Sequence, residues 1–119
     1  MNFLAVFIGG GLGSLTRYAL GLLLTKTNWP NFPLATFLSN ILACLILALT
    51  FYLFREKVLQ SELWVLAITT GFCGGFSTFS TFSNETIQLI GQGQYMWAVA
   101  NVLLSLLLGG LVIWWFWKS

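Results

Sequence analysis

Four long apolar stretches separated by short polar breaks make up most of the chain. The first runs from about Phe3 to Leu24 and gives way at Lys26 to Pro33, a polar turn with two prolines. A second runs from about Leu34 to Phe54 and stops at the charge cluster Arg55-Glu56-Lys57. The third extends from about Leu63 to Ile90, and Gly91 to Gln94 turns the chain into a fourth, from about Met96 to Trp117. Each is near the ~20 residues that carry a helix across a bilayer. The pattern therefore predicts an all-α membrane protein of four spans, with no room for a second domain. Trp64, Tyr95, Trp97, Trp114, Trp115 and Trp117 fall near span ends, where aromatic side chains meet headgroups.

The third stretch is too long. Its 28 residues would make a helix of about 42 Å against a hydrocarbon core of ~30 Å. The excess coincides with unusual composition: glycines, hydroxyls and phenylalanines alternate from Gly71 through Glu85. Glycine pairs weaken a helix, and Ser and Thr side chains can replace lost backbone partners. A helix interrupted around Gly74 to Thr78 is expected. Non-helical backbone at that depth is tolerated where it is buried in protein or lines a cavity, which suggests a binding or permeation site. The competing reading is a plain kink with hydroxyls gluing helices together.

Composition agrees with the membrane and narrows the chemistry. Of 119 residues, 7% are charged, against about a quarter in a soluble domain, and mean hydropathy is +0.88. A net charge of +2 is too small for a nucleic-acid footprint. With no His, no nucleophile–base pair can be assembled, and paired carboxylates and a phosphate loop are also missing, so an enzyme is not expected. Cys44 and Cys73 lie in apolar stretches and read as small buried hydrophobes. The opening Met1 to Ala5 lacks the charged start of a secretory signal, so the first stretch is expected to remain as a span. Four spans put Arg55, Lys57 and Lys118 on one side and Lys26, with or without Arg17, on the other. That weak bias favours the N-terminus inside. A balance this even is also compatible with insertion both ways round and an antiparallel pair. Four thin helices enclose little alone, so an oligomer is expected.

Several polar residues within spans are candidates for function, each with a plainer alternative. Arg17 carries a permanent charge and either sets a positive potential for an anion path or snorkels to the interface. Gly9 and Gly13, with Gly10 and Ser14 alongside, form a small-residue face for close helix packing. Asn40, one turn after Thr36, either bonds another helix or offers its NH2 to an anion. Phe79 and Phe82 are spaced for packing, but the positive edge of a phenyl ring can also face an anion. Thr78, Ser80, Thr81 and Ser83 supply neutral donors suited to a small hydrated anion. Glu85 either ends this hydroxyl track as a titratable group or reaches the interface. Asn101 and Ser105 either extend a polar track or pair with another helix.

Three segments in order resemble the Fluc (CrcB-type) fluoride channels. Gly74 to Phe82 (GGFSTFSTF) resembles the family's GG-x-TTFSTF signature, Gly9 to Tyr18 its GG-x-x-GA-x-x-RY motif, and Ala35 to Asn40 its GTL-x-VN motif. The likeness implies a dual-topology homodimer whose broken third helices cross at its centre. It further implies two antiparallel pores for passive fluoride export from the cell across the inner (plasma) membrane, relieving fluoride toxicity. By motif position Phe79 and Phe82 would be the pathway rings and Asn40 the anion-facing amide. Ser80, Thr81, Thr36 and Glu85 would lie in or beside the polar track, with Arg17 near the entrance. The backbone carbonyls of Gly74 and Ser77 would hold a structural Na⁺ at the dimer centre. Ser77, Ser14 and Ala35 depart from the motifs only by one small residue for another, and the fourth span has no strong motif. The alternative is a proton-coupled small multidrug-type transporter, which would want a carboxylate in the first span, where Arg17 stands instead.

Overall fold

The computed structural model describes residues 1–25, 32–55 and 62–119, and every regular element among them is helical. The polar turn after the first stretch and the Glu56-Lys57 part of the charge cluster lie largely outside the described residues. Helix α1 spans Asn2–Leu24, α2 spans Leu34–Leu53, and α6 spans Tyr95–Lys118. Between α2 and α6 the chain crosses once more, in pieces. A short α3 (Leu63–Leu66) leads into a π-helical turn, Ala67–Phe72, and then α4 (Cys73–Phe76). Ser77 and Thr78 are extended (ψ 156° at Ser77; φ −151°, ψ 116° at Thr78), and α5 follows over Phe79–Gly91. Four helical segments are long and apolar enough to cross a membrane: Asn2–Leu24, Leu34–Leu53, Leu63–Gly91 and Tyr95–Lys118. The chain is a multi-pass membrane protein.

Contacts fix the directions of the spans. Gly9 meets Ala67 and Phe72, while Gly13 meets Phe72 and Phe76, so α1 and the third span run in parallel. Phe32 packs on Trp97 at one end, and Tyr52 on Phe116 at the other, so α2 and α6 are also parallel. Thr36 pairs with Glu85 and Asn40 with Thr78, which sets α2 antiparallel to the third span. The result is an up-down-up-down arrangement measuring 49 × 31 × 21 Å.

Small residues hold this bundle together. Ala43, Ala48, Cys73 and Ala98 are buried, and glycines fill the tightest crossings. An added Cβ at Gly9 would stand 2.1 Å from the Ala67 carbonyl oxygen, and one at Gly75 would stand 2.3 Å from that of Gly10. Only a residue without a side chain permits such an approach. Lipid solvates apolar side chains as well as protein does, so this backbone-close packing supplies much of the association between spans. Phe76 and Leu89 are buried among them, but many large side chains point outward: Phe3, Phe7 and Leu15 on α1 are all exposed, as are Leu106, Leu107 and Trp115 on α6.

Candidate functional site

The extended pair Ser77–Thr78 cannot continue the helical hydrogen-bond ladder, and neighbouring side chains take over its groups. The Asn40 amide engages both backbone groups of one residue. Its Oδ1 accepts from the Thr78 N–H at 2.7 Å, and its Nδ2 donates to the Thr78 carbonyl at 3.3 Å. A single side chain from α2 thus acts as an adjacent strand would. Thr78 caps α5, its Oγ1 accepting from the Thr81 N–H at 3.2 Å and lying 3.2 Å from the Ser80 hydroxyl. Ser77 closes the preceding ladder, its N–H making the last helical bond to the Cys73 carbonyl at 3.0 Å and its Oγ donating to the same oxygen at 2.6 Å.

These substitutions release carbonyls on the other side of the ladder. In a continuous helix the Thr78 N–H would serve Gly74 and the Thr81 N–H would serve Ser77. Both donors are engaged elsewhere, so the Gly74 and Ser77 carbonyls lose their helical partners. The Gly75 carbonyl is met by Arg17, whose Nε–H donates to it at 3.2 Å. A guanidinium at the end of α4 satisfies an orphan acceptor and complements the negative end of the helical run. Among the described residues Arg17 makes no ion pair. Its charge is therefore held beside the interruption.

A second polar group lies one turn along α2. Thr36 Oγ1 donates to Glu85 Oε1 at 2.9 Å, and Thr36 is buried. Glu85 Oε2 is also buried and has no partner among the described residues. A cavity of about 160 Å³, lined in part by Gly21, Thr25, Pro33, Thr36 and Glu85, opens beside this pair between the ends of α1 and α2. Further in, Asn101 on α6 is wholly enclosed, and its Nδ2 donates to Thr86 Oγ1 at 2.9 Å. Thr86 in turn donates to the Phe82 carbonyl at 2.8 Å. Asn101 Oδ1 and the Ser105 hydroxyl, one helical turn apart, are buried without partners among the described residues.

The candidates marked by sequence thus divide into neighbourhoods. Asn40, Thr78, Ser80 and Thr81 gather at the interruption, with Arg17 behind it, while Thr36 and Glu85 form a separate pair toward one end. Phe79 and Phe82 are neighbours, ring centroids 6.2 Å apart and tilted by 38°. Phe79 is 81% exposed on the outer face of this chain. Glu85 bonds Thr36 rather than the hydroxyls one and two turns before it on α5. Thr86 joins the site without having stood among the sequence candidates, although it completes the unbroken polar run Ser83-Asn84-Glu85-Thr86.

Together these features define a small helical membrane protein whose polar groups cluster at an interruption in its third span. The chain belongs to the CrcB family: the family model described as CrcB-like protein, Camphor Resistance (CrcB), matches residues 4–116. A relative from Serratia proteamaculans, named fluoride-specific ion channel FluC, is 46% identical over 112 residues, covering 94% of this chain and 87% of its own. One from Yersinia pseudotuberculosis, named fluoride-specific ion channel FluC 1, is 44% identical over 104 residues, 87% of this chain and 81% of its own. A third, FluC from Salmonella arizonae, is 42% identical over the same shares of the two chains.

Proposed function

We propose that this chain is the subunit of a fluoride-selective channel that lets the anion leave the cytoplasm passively, down its electrochemical gradient. The observation that carries the reading is similarity across nearly the full chain to proteins named for that conduction. The geometry supplies what conduction of a small, strongly hydrated anion requires. Hydroxyls and an amide can replace its water without trapping it behind a fixed charge. Asn40 keeps one N–H after its bond to Thr78, because an amide nitrogen carries two. Thr81 and Ser80 continue the row of neutral donors, Phe79 and Phe82 offer ring edges, and Thr36 lies beside the track with its proton given to Glu85. Arg17 contributes positive potential, and Glu85 stands at the cavity end of the track.

The functional unit in this reading is an antiparallel homodimer with two pores, in the inner membrane. Exposure of Phe79 on a single chain supports a second copy completing the wall of each pathway. The interruptions at Ser77–Thr78 would cross at the centre of such a dimer. The released carbonyls of Gly74 and Ser77 fit a Na⁺ ion, since carbonyl oxygens are hard, neutral ligands for it, and an added Cβ at Gly74 meets nothing within 4 Å. Two copies would present the set twice, and the bound cation would stabilise carbonyl dipoles that the interruption leaves without N–H partners.

Fluoride-loaded liposomes containing the purified protein test the proposal. Efflux driven by the fluoride gradient and indifferent to a pH gradient is the expected result. Absence of fluoride flux, or drug-driven proton movement, would overturn it in favour of the transporter alternative. A C-terminal reporter labelled from both sides of the membrane would support the antiparallel pair, and labelling from one side would contradict it.

A further inference from the structure

At the end of the bundle remote from the Glu85 cavity, the C-terminal ends of α2 and α6 lie side by side. Between them runs a groove of about 460 Å³. Its walls are apolar and aromatic, including Phe51, Ile113 and Trp117, and among the described residues Arg55 is the one charged residue lining it. Arg55 is fixed over the groove's end by two contacts. Its Nη2 donates to the Phe116 carbonyl at 3.2 Å, and its guanidinium lies 5.2 Å from the centroid of the Tyr52 ring. Lys118 at the close of α6 belongs to a separate pocket with Trp114 and Trp115, its ammonium 4.9 Å from the Trp114 ring centroid. Glu62, the described carboxylate at this end, accepts from the Trp64 indole and lies outside the groove lining.

From this arrangement we propose that the α2/α6 groove binds one phospholipid with an anionic headgroup. An acyl chain lies along the apolar wall, and the headgroup phosphate meets Arg55. Phe51, Tyr52 and Trp117 on the groove's walls are exposed, so in a membrane-spanning bundle a hydrocarbon chain is its ordinary neighbour. The cation at its end selects the headgroup by charge complementarity. A guanidinium has five N–H donors in a planar fork. One bond to Phe116 leaves a bidentate pair for phosphate oxygens. Prior ordering by the Tyr52 face reduces the side-chain entropy lost on binding. This function would be separate from ion conduction, and it rests on neither the dimer nor the pore.

Lipid retention tests it directly. Purified protein is equilibrated in detergent with equal amounts of phosphatidylglycerol and phosphatidylcholine of identical acyl chains, and bound lipid is counted by native mass spectrometry. Wild-type protein should retain phosphatidylglycerol preferentially. Arg55→Gln should reduce that preference about fivefold, the loss expected for one interfacial cation. Lys118→Gln, outside the groove lining, should leave the preference unchanged, and Arg55→Lys should keep part of it. Both side chains are exposed, so folding does not depend on them, and unchanged helicity by circular dichroism checks this. Equal retention by wild type, or a preference untouched by Arg55→Gln, would overturn the proposal. Displacement of the lipid by inorganic phosphate would also overturn it, because a free-anion site needs no groove.

Discussion

Replacing Gly13 by alanine adds one methyl group where α1 crosses the third span, and the surroundings of that methyl are fixed. An ideal Cβ there would lie 2.2 Å from the Phe72 carbonyl oxygen and 2.8 Å from the Phe76 nitrogen. Both are backbone atoms and cannot rotate aside. A close carbon–oxygen contact is about 3.3 Å, so α1 must withdraw by about 1 Å. Overpacking of this kind costs about 1–3 kcal/mol, and retreat also loosens the Gly9 and Gly75 crossings on the same seam. Alanine regains about 1 kcal/mol through its better helix propensity, which leaves a net loss of up to about 2 kcal/mol before the loosened crossings are counted. Gly11 provides the control. It is exposed on the same helix, and its added Cβ meets nothing within 4 Å. Gly11→Ala should therefore be neutral or stabilising by up to about 1 kcal/mol. Thermal unfolding in one detergent, followed by tryptophan fluorescence, reads the difference: Gly13→Ala melts below wild type and Gly11→Ala does not. Equal melting of the two variants would refute the claim that backbone-close packing of α1 on the third span stabilises the fold.

Asn40→Asp removes the donor to the Thr78 carbonyl and places an acidic oxygen against it. It should cost about 1–3 kcal/mol in thermal stability and cut fluoride efflux from liposomes sharply. Phe79→Ile alters an outward ring, so melting should stay within about 0.5 kcal/mol of wild type while efflux falls. Unchanged efflux would assign Phe79 to packing alone. Thr36→Val leaves both Glu85 oxygens without a partner and should lower stability by about 1–3 kcal/mol. Thr36→Ser keeps the hydroxyl and should restore most of that loss in the same melting assay.

The helical membrane class and its four spans were legible because hydropathy reports length and period without tertiary information. The glycine face of α1 was legible for a similar reason, since spacing of four residues places Gly9 and Gly13 on one side whatever they meet. The partners of the polar residues were not. Asn40 can donate and accept, and its sequence is equally consistent with a bond to a helix, a loop peptide or an ion. Only the antiparallel register of α2 against the third span brings it to the Thr78 peptide. Arg17 is similar, because its bond to the Gly75 carbonyl exists only once the helical ladder is interrupted there. Glu85 shares a helical face with Thr78 and Thr81, but the shorter reach is across to Thr36 on α2. The π-helical turn at Ala67–Phe72 left no sequence mark either, since one residue of altered winding hardly disturbs an apolar run.

Selective conduction is the central claim, and a reversal potential measures it most directly. Purified protein in a planar bilayer would separate solutions with a fluoride gradient, the remaining anion being chloride in opposing amounts. The account predicts a current that reverses at the equilibrium potential for fluoride and is unmoved when the chloride gradient is changed. A reversal potential that follows chloride or protons, or no current from correctly folded protein, would contradict it.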